Sequence, residues 1–114
     1  MLSLPPSVRI HLCLAPADMR RSFDGLARMA EEILAEDPFS GHLFVFRNRR
    51  EDRIKILYWD RTGPALWYKR LEAGVFVFPE VGESLRLTVT PGELTLILEG
   101  IDLSSSRRSK RYVR

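Results

Sequence analysis

The hydrophobic pattern of the chain opens with a strand and then a helix. Apolar side chains alternate with other residues over positions 8–14, which is typical of a strand with one buried face. Apolar residues then recur three or four positions apart, which predicts a helix over about 19–36 with Asp18 as its N-cap and an end before Pro38. The side chains expected to form its buried stripe are Met19, Phe23, Leu26, Ala30, Ile33 and Leu34.

Two aromatic-rich apolar runs in the middle of the chain predict a hairpin. Residues 42–47 and 53–59 are rich in β-branched and aromatic side chains, and the sequence NRRED between them suits a hairpin loop. In both runs apolar residues occupy odd-numbered as well as even-numbered positions, and these point to opposite faces of a sheet. We therefore expect central strands that are covered on both faces. After a turn at 60–64, residues 65–71 fit either another strand or a short helix.

The last third of the chain predicts two short strands and a capped helix. VFVFP is interpreted as a strand that ends at Pro79, and residues 85–90 alternate cleanly. Thr90 and Glu93 have the spacing of a capping box around a proline, which predicts a short helix that ends at Gly100. The expected fold is α+β: a mostly antiparallel sheet of five to six strands, with one longer helix packed on it and a short C-terminal helix. We expect residues 1–103 to form a single domain and 104–114 a basic, flexible tail.

Length and cysteine content indicate a protein with one core and no intrachain disulfide. A chain of 114 residues with 45% hydrophobic content can bury one core. Cys13 is its only cysteine, so an intrachain disulfide is excluded and a reducing compartment is favoured. No apolar run approaches the roughly 20 residues that span a membrane, and we expect a cytoplasmic protein.

Positive charge is concentrated in the hairpin and at the C-terminus. The net charge is only +3, but residues 38–74 hold eight basic and four acidic side chains, and the last eight residues hold five basic and none acidic. Guanidinium groups match phosphate oxygens, so this distribution predicts a surface that binds nucleic acid. The candidate binding residues are Arg47, Arg49, Arg50, Arg53, Lys55, Lys69, Arg70, Arg107, Arg108, Lys110 and Arg111.

The hairpin also has a purely structural interpretation. Charged residues at hairpin tips are commonly just solvated, and Glu51 and Asp52 neutralise part of this one. The neighbouring aromatic residues would suit stacking on unpaired bases, but such side chains are more often part of a core. The aromatic residues concerned are Phe44, Phe46, Tyr58 and Trp59.

The sequence does not predict catalysis. His11 and Cys13 share a strand face, but neither they nor His42 has the spacing of a metal site, and we interpret the histidines as surface or half-buried side chains. The glycines at 63, 74 and 82 are isolated, so no loop is suited to cradle a phosphate. We therefore expect a protein without metal or cofactor that is not an enzyme.

Several segments, in order along the chain, carry a resemblance to one protein family. They are ADMR at 17–20, SFDGL at 22–26, DPFSGHLFVF at 37–46, Arg49-Arg50, IKILYWD at 54–60, KRLE at 69–72 and LEGID at 98–102. The chain resembles the short accessory protein, Orf2-like or TnpB, that is encoded beside the transposase in IS66-type bacterial insertion sequences. It does not resemble the RNA-guided nucleases that share the name TnpB, which are several times longer.

The resemblance implies a part in transposition beside a separate, larger transposase. Two roles stay open: an accessory factor that binds DNA at the element ends, and an interaction module that docks on the transposase without strong DNA binding. Family members often carry glycine where Asn48 stands and a small residue where Glu51 stands, so the hairpin loop here is bulkier and more acidic.

Overall fold

The computed structural model describes residues 5–79 and 82–101. This part of the chain contains five strands and two helices. In chain order they are β1 (Ile10–Cys13), α1 (Phe23–Glu32), β2 (Leu43–Arg47), β3 (Arg53–Trp59), β4 (Pro64–Arg70), β5 (Arg86–Val89) and α2 (Pro91–Leu98).

The five strands form one mixed sheet in the order β4-β3-β2-β1-β5. The β1–β2 pair is parallel because α1 crosses over between these strands, and the other three pairs are antiparallel. In register, Ile10 lies opposite Leu43 on one side and Val89 on the other. This confirms the predicted α+β fold with a mostly antiparallel sheet.

Each face of the sheet has its own core. On one face α1 packs Leu26 and Ala30 over Phe44 and Phe46; we call this the α1 face. On the other, the α2 face, buried side chains of α2 and of residues 76–78 pack on the strands. This confirms the expectation that β2 and β3 are covered on both faces. It also explains why their side chains are apolar on both faces of the sheet.

Helix α1 is shorter at both ends than the predicted helix over 19–36. Its N-cap is Ser22, so the predicted cap Asp18 lies four residues before the observed one, where its carboxylate accepts from the amide and the guanidinium of Arg20. At the other end Ala35 adopts φ 55°, and the Glu36 amide donates to the Ala30 carbonyl, which ends the helical pattern.

The prediction of a strand at 75–79 was wrong, although Phe76 and Phe78 are buried as they would be in a strand. The described residues of this segment lie outside the sheet, with the Phe76 amide donating to the Glu51 carbonyl at 2.7 Å. Residues 64–70 are a strand and not a helix. The capping box is confirmed: Thr90 Oγ1 accepts from the Glu93 amide at 3.1 Å, and the Glu93 carboxylate accepts from the Thr90 amide at 2.9 Å.

Candidate nucleic-acid interface

A tight turn joins β2 to β3 and presents two arginines. The Asn48 carbonyl accepts from the Glu51 amide at 3.0 Å, so Arg49 and Arg50 occupy the two central positions of a four-residue turn. The Asn48 side chain, buried beneath, donates to Asp52 at 2.8 Å and accepts from the Arg53 amide at 2.9 Å. The turn is therefore tight without glycine, and Glu51 takes the left-handed conformation, φ 68°, that a glycine would favour.

The predicted basic patch is divided between the two faces of the sheet. Successive strand residues point to opposite faces, so Arg47 on β2 and Lys69 on β4 lie on the α2 face. Arg53, Lys55 and Arg70 belong to the α1 face by the same alternation. A single ligand surface thus cannot use all five side chains.

Arg47 is held inside the protein. Its Nη1 donates to the Phe76 carbonyl at 2.7 Å, its guanidinium lies 4.2 Å from the centre of the Phe78 ring, and only 17% of its side chain is exposed. Burial lowers the pKa of this guanidinium, while Glu51 at 3.5 Å acts in the opposite direction. The contacts make Arg47 a link between the hairpin and the segment at 76–78.

Two lysines of the predicted patch also donate to backbone carbonyls. Lys69 Nζ donates to the Leu98 carbonyl at the C-terminus of α2, at 2.9 Å, which is the favourable position for a cation on a helix. Lys55 Nζ donates to the carbonyls of Met19 and Arg21, at 2.9 and 2.8 Å. Lys55 thereby attaches the loop before α1 to the sheet.

That attachment creates a groove which we call the arginine groove. The loop before α1 is fixed a second time where the Ala17 amide donates to the Arg47 carbonyl at 2.9 Å. The loop therefore lies against the hairpin turn, and the groove between them has a volume of about 910 Å³. Five arginines from these two separate segments line it: Arg20, Arg21, Arg49, Arg50 and Arg53.

Two carboxylates reduce the positive charge of the arginine groove without cancelling it. Asp18 and Glu32 line the groove beside the five arginines, which leaves a net charge of +3. Arg20 donates to Asp18 at 2.7 Å, and this hydrogen bond lowers the pKa of Asp18 to about 2, so the carboxylate stays ionised at neutral pH. The arrangement can bind an anion with several phosphate groups more readily than a single small anion.

Sequence reasoning missed Arg20 and Arg21. The predicted helix over 19–36 included both arginines, whereas the helix begins only at Phe23. The available signal was the Arg-Arg doublet two residues after Asp18 and directly before Ser22. Its proximity to the hairpin depends on Lys55, which no local pattern reveals.

The remaining predicted site residues have different positions. Arg70 is exposed on β4 directly opposite Arg53 but is not among the residues that line the groove. Phe44 and Phe46 are fully buried, so they are core residues and not platforms for bases. Four predicted residues lie outside the described part of the chain: Arg107, Arg108, Lys110 and Arg111.

His11 corrects the expectation of surface or half-buried histidines. Its ring is buried, stacks on Phe44 with 5.4 Å between ring centres, and has no hydrogen-bond partner within the described residues. Burial lowers its pKa, against the opposing charge of Glu36 at 3.7 Å. Residues 5–79 and 82–101 contain no group of three or more histidine, cysteine, aspartate or glutamate side chains that could hold a metal ion. Neither described helix is long and apolar enough to cross a membrane.

The family model described as IS66 Orf2 like protein matches residues 8–108. The chain belongs to this family. As an IS66 Orf2-like protein, it is associated with an insertion sequence.

Two relatives come from Sinorhizobium fredii (strain NBRC 101917 / NGR234). The uncharacterized protein y4jC is 37% identical over 108 residues, which cover 95% of this chain and 92% of the relative. The uncharacterized protein y4hO is 37% identical over 102 residues, covering 90% and 88%. No solved structure matches the chain.

Proposed function

We propose that this IS66 Orf2-like protein is a non-catalytic accessory factor that binds DNA at the ends of its element through the arginine groove. The observation that supports the proposal is the convergence of Arg20 and Arg21 with Arg49, Arg50 and Arg53 from a distant segment. Arginines held close together repel one another, and an approaching phosphodiester chain relieves that repulsion. The partner transposase supplies the chemistry of strand cleavage and joining.

The salt dependence of DNA binding tests this proposal. With three to five phosphates neutralised in the groove, the logarithm of affinity for a duplex should fall against the logarithm of salt with a slope of about −3 to −4.5. The slope is measured by fluorescence anisotropy of a labelled element-end duplex and of an unrelated duplex of equal length. Phosphate contacts carry no base information, so this component should be the same for both sequences.

A matched pair of double variants locates the binding surface. Arg49→Glu with Arg50→Glu reverses two charges in the groove, and the slope should become shallower by about 2. Arg28→Glu with Arg61→Glu makes the same change in net charge at exposed positions outside the groove and should leave the slope within about 0.5. Equal losses in the two variants would show a general charge effect and would reject the groove as the site.

A second candidate function rests on an aromatic cluster that includes the first residue of α1 and lies outside the arginine groove. Phe23, Phe39 and Trp59 contact one another, with 5.1 Å between the rings of Phe39 and Trp59, and Phe39 is 54% exposed. Exposed aromatic side chains are common at the centres of protein interfaces. This cluster favours the interaction module that docks on the transposase.

One co-purification experiment separates the two functions. Phe39→Ala should abolish association with the transposase if docking is the main role, whereas Arg49→Glu with Arg50→Glu should abolish recovery of element-end DNA if DNA binding is. Undetectable DNA binding at low salt, together with intact association, would leave the docking module as the function.

The absence of catalysis has its own test. The protein incubated with magnesium, manganese or zinc should not cleave single- or double-stranded DNA. Metal-dependent cleavage that disappears in Asp60→Ala would overturn the non-catalytic part of the proposal.

A further inference from the structure

Tyr68 borders the arginine groove and is an aromatic side chain that the proposed function does not use. It lies on β4, one of the two edge strands, and 52% of its surface is exposed. Tyr68 and Arg53 both line the groove, and they lie on the same face of the adjacent strands β4 and β3. A large aromatic residue this exposed has little structural reason to be there, because burial and not exposure is what stabilises a fold.

The surroundings of Tyr68 fix its ring. Lys55 lies directly opposite on β3, and its Nζ is 5.1 Å from the centre of the ring. That ammonium is itself held by the carbonyls of Met19 and Arg21. The cation therefore restrains the ring from one side, and a restrained ring loses little conformational entropy when a flat ligand stacks on it.

The same strand pair places positive charge beside the ring. Arg53 and Arg70 lie directly opposite each other, two positions along the strands from Lys55 and Tyr68 and on the same face. Like charges in directly opposed positions destabilise a sheet unless an anion lies between them. A phosphate at this pair would bring its adjoining base to the level of the Tyr68 ring.

We infer that the arginine groove binds unpaired DNA, with Tyr68 stacking on a base and the groove arginines binding the adjoining phosphates. A base inside a duplex presents its edges to a protein and keeps its faces stacked on neighbouring bases, so Tyr68 can stack only on a base that has left the helix. This inference rests on the proposed function, and it specifies which form of DNA the groove selects.

The test compares three oligonucleotides of equal length: a thymidine single strand, a duplex, and a single strand that is abasic at its central positions. In anisotropy titrations at fixed salt, Tyr68→Ala should lower affinity for the thymidine strand about 5- to 100-fold. The same substitution should change duplex affinity less than twofold. Tyr68→Phe should retain wild-type affinity, because the ring and not the hydroxyl stacks.

Two controls keep the test specific. Leu66→Ala truncates an exposed apolar side chain on the same strand and face, away from the groove, and should change no affinity. The abasic strand should bind the wild type and Tyr68→Ala equally, since the base that the ring contacts is absent. Circular dichroism and a urea titration establish that each variant is folded.

The outcomes separate this inference from the proposed function. If Tyr68→Ala weakens all three ligands equally, or none of them, while Arg49→Glu with Arg50→Glu still removes binding, stacking is rejected and the groove remains a DNA site. If the wild type binds no oligonucleotide at low salt, both are rejected. Selective loss of the thymidine strand, restored in Tyr68→Phe, is the result expected here.

Discussion

In the stem of the β2–β3 hairpin Arg47 and Lys55 donate to backbone carbonyls, whereas in its turn Arg49 and Arg50 point into solvent. The four residues look equivalent in the sequence, yet the first two connect parts of the fold and the other two border the arginine groove. Positive charge counted along a chain is thus a poor measure of the charge that a ligand meets. Substitutions in the stem and in the turn should therefore have different effects on stability and on DNA binding.

Arg47→Ala should produce the largest loss of stability. It removes a charged hydrogen bond to the Phe76 carbonyl and the packing on Phe78, so the free energy of unfolding should fall by about 2–3 kcal/mol. Urea denaturation measures this, with Arg49→Ala, expected within about 0.5 kcal/mol of wild type, as the control. A variant that keeps its stability but loses DNA binding would show that the stem arginine belongs to the ligand site after all.

Lys55→Met should lower stability by about 1–2 kcal/mol and weaken DNA binding as well. Methionine keeps the length of the apolar stem but leaves the carbonyls of Met19 and Arg21 without their donor, so the loop that carries Arg20 is released. Lys69→Met removes a similar donor on the opposite face and should lower stability without changing DNA affinity. Unchanged DNA affinity in Lys55→Met would mean that the loop keeps its place without the lysine.

Glu51→Gly should raise the free energy of unfolding by about 0.5–1 kcal/mol. The residue adopts φ 68°, which glycine occupies without the steric penalty of a side chain, and the ion pair that it loses with Arg47 is partly exposed and weak. Arg50→Gly, at a described position outside the left-handed region, is the control and should lower stability. A stability loss in both variants would indicate that Glu51 contributes more through Arg47 than it loses through its backbone.

The smallest effect expected is a dependence of stability on pH through His11. Burial lowers its pKa in the folded state, so the unfolded chain takes up a proton more readily. Stability is therefore unaffected by this group above its ordinary pKa of 6.5, decreases as pH falls below that value, and decreases no further below the lowered pKa. Urea titrations from pH 8 to pH 5 on wild type and His11→Phe should show this component only in the wild type.

Much of the fold could be predicted because local patterns determine it. The alternation in β1 and β5, the spacing of Leu26 and Ala30, and the pair Thr90–Glu93 each indicate an element from neighbouring residues alone. The prediction of a strand at 75–79 failed because Phe76 and Phe78 are buried by packing in the core of the α2 face and not by pairing in the sheet. A buried segment has the same hydrophobic pattern in the sequence whether or not it pairs with a strand of the sheet.

The candidate site was predicted only in part, for a different reason. Arg49, Arg50 and Arg53 were identified because they adjoin a recognisable turn, whereas Arg20 and Arg21 join them through the long-range hydrogen bonds of Lys55. The exposure of Tyr68 likewise depends on which part of the edge strand β4 the rest of the chain covers. Contacts between distant segments determine the position of these arginines and the exposure of Tyr68. The hydrophobic periodicity of the sequence does not predict such contacts.

The parallel pairing of β1 with β2 and its antiparallel pairing with β5 set an order of events during synthesis. The ribosome releases Ile10–Cys13 first, but one neighbour of this strand arrives with Leu43–Arg47 and the other only with Arg86–Val89. Until then the nascent chain carries an open strand edge, the kind of edge that pairs with other chains. A message cut short before residue 86 would release that edge permanently, so its product should sediment as aggregate where the full chain does not.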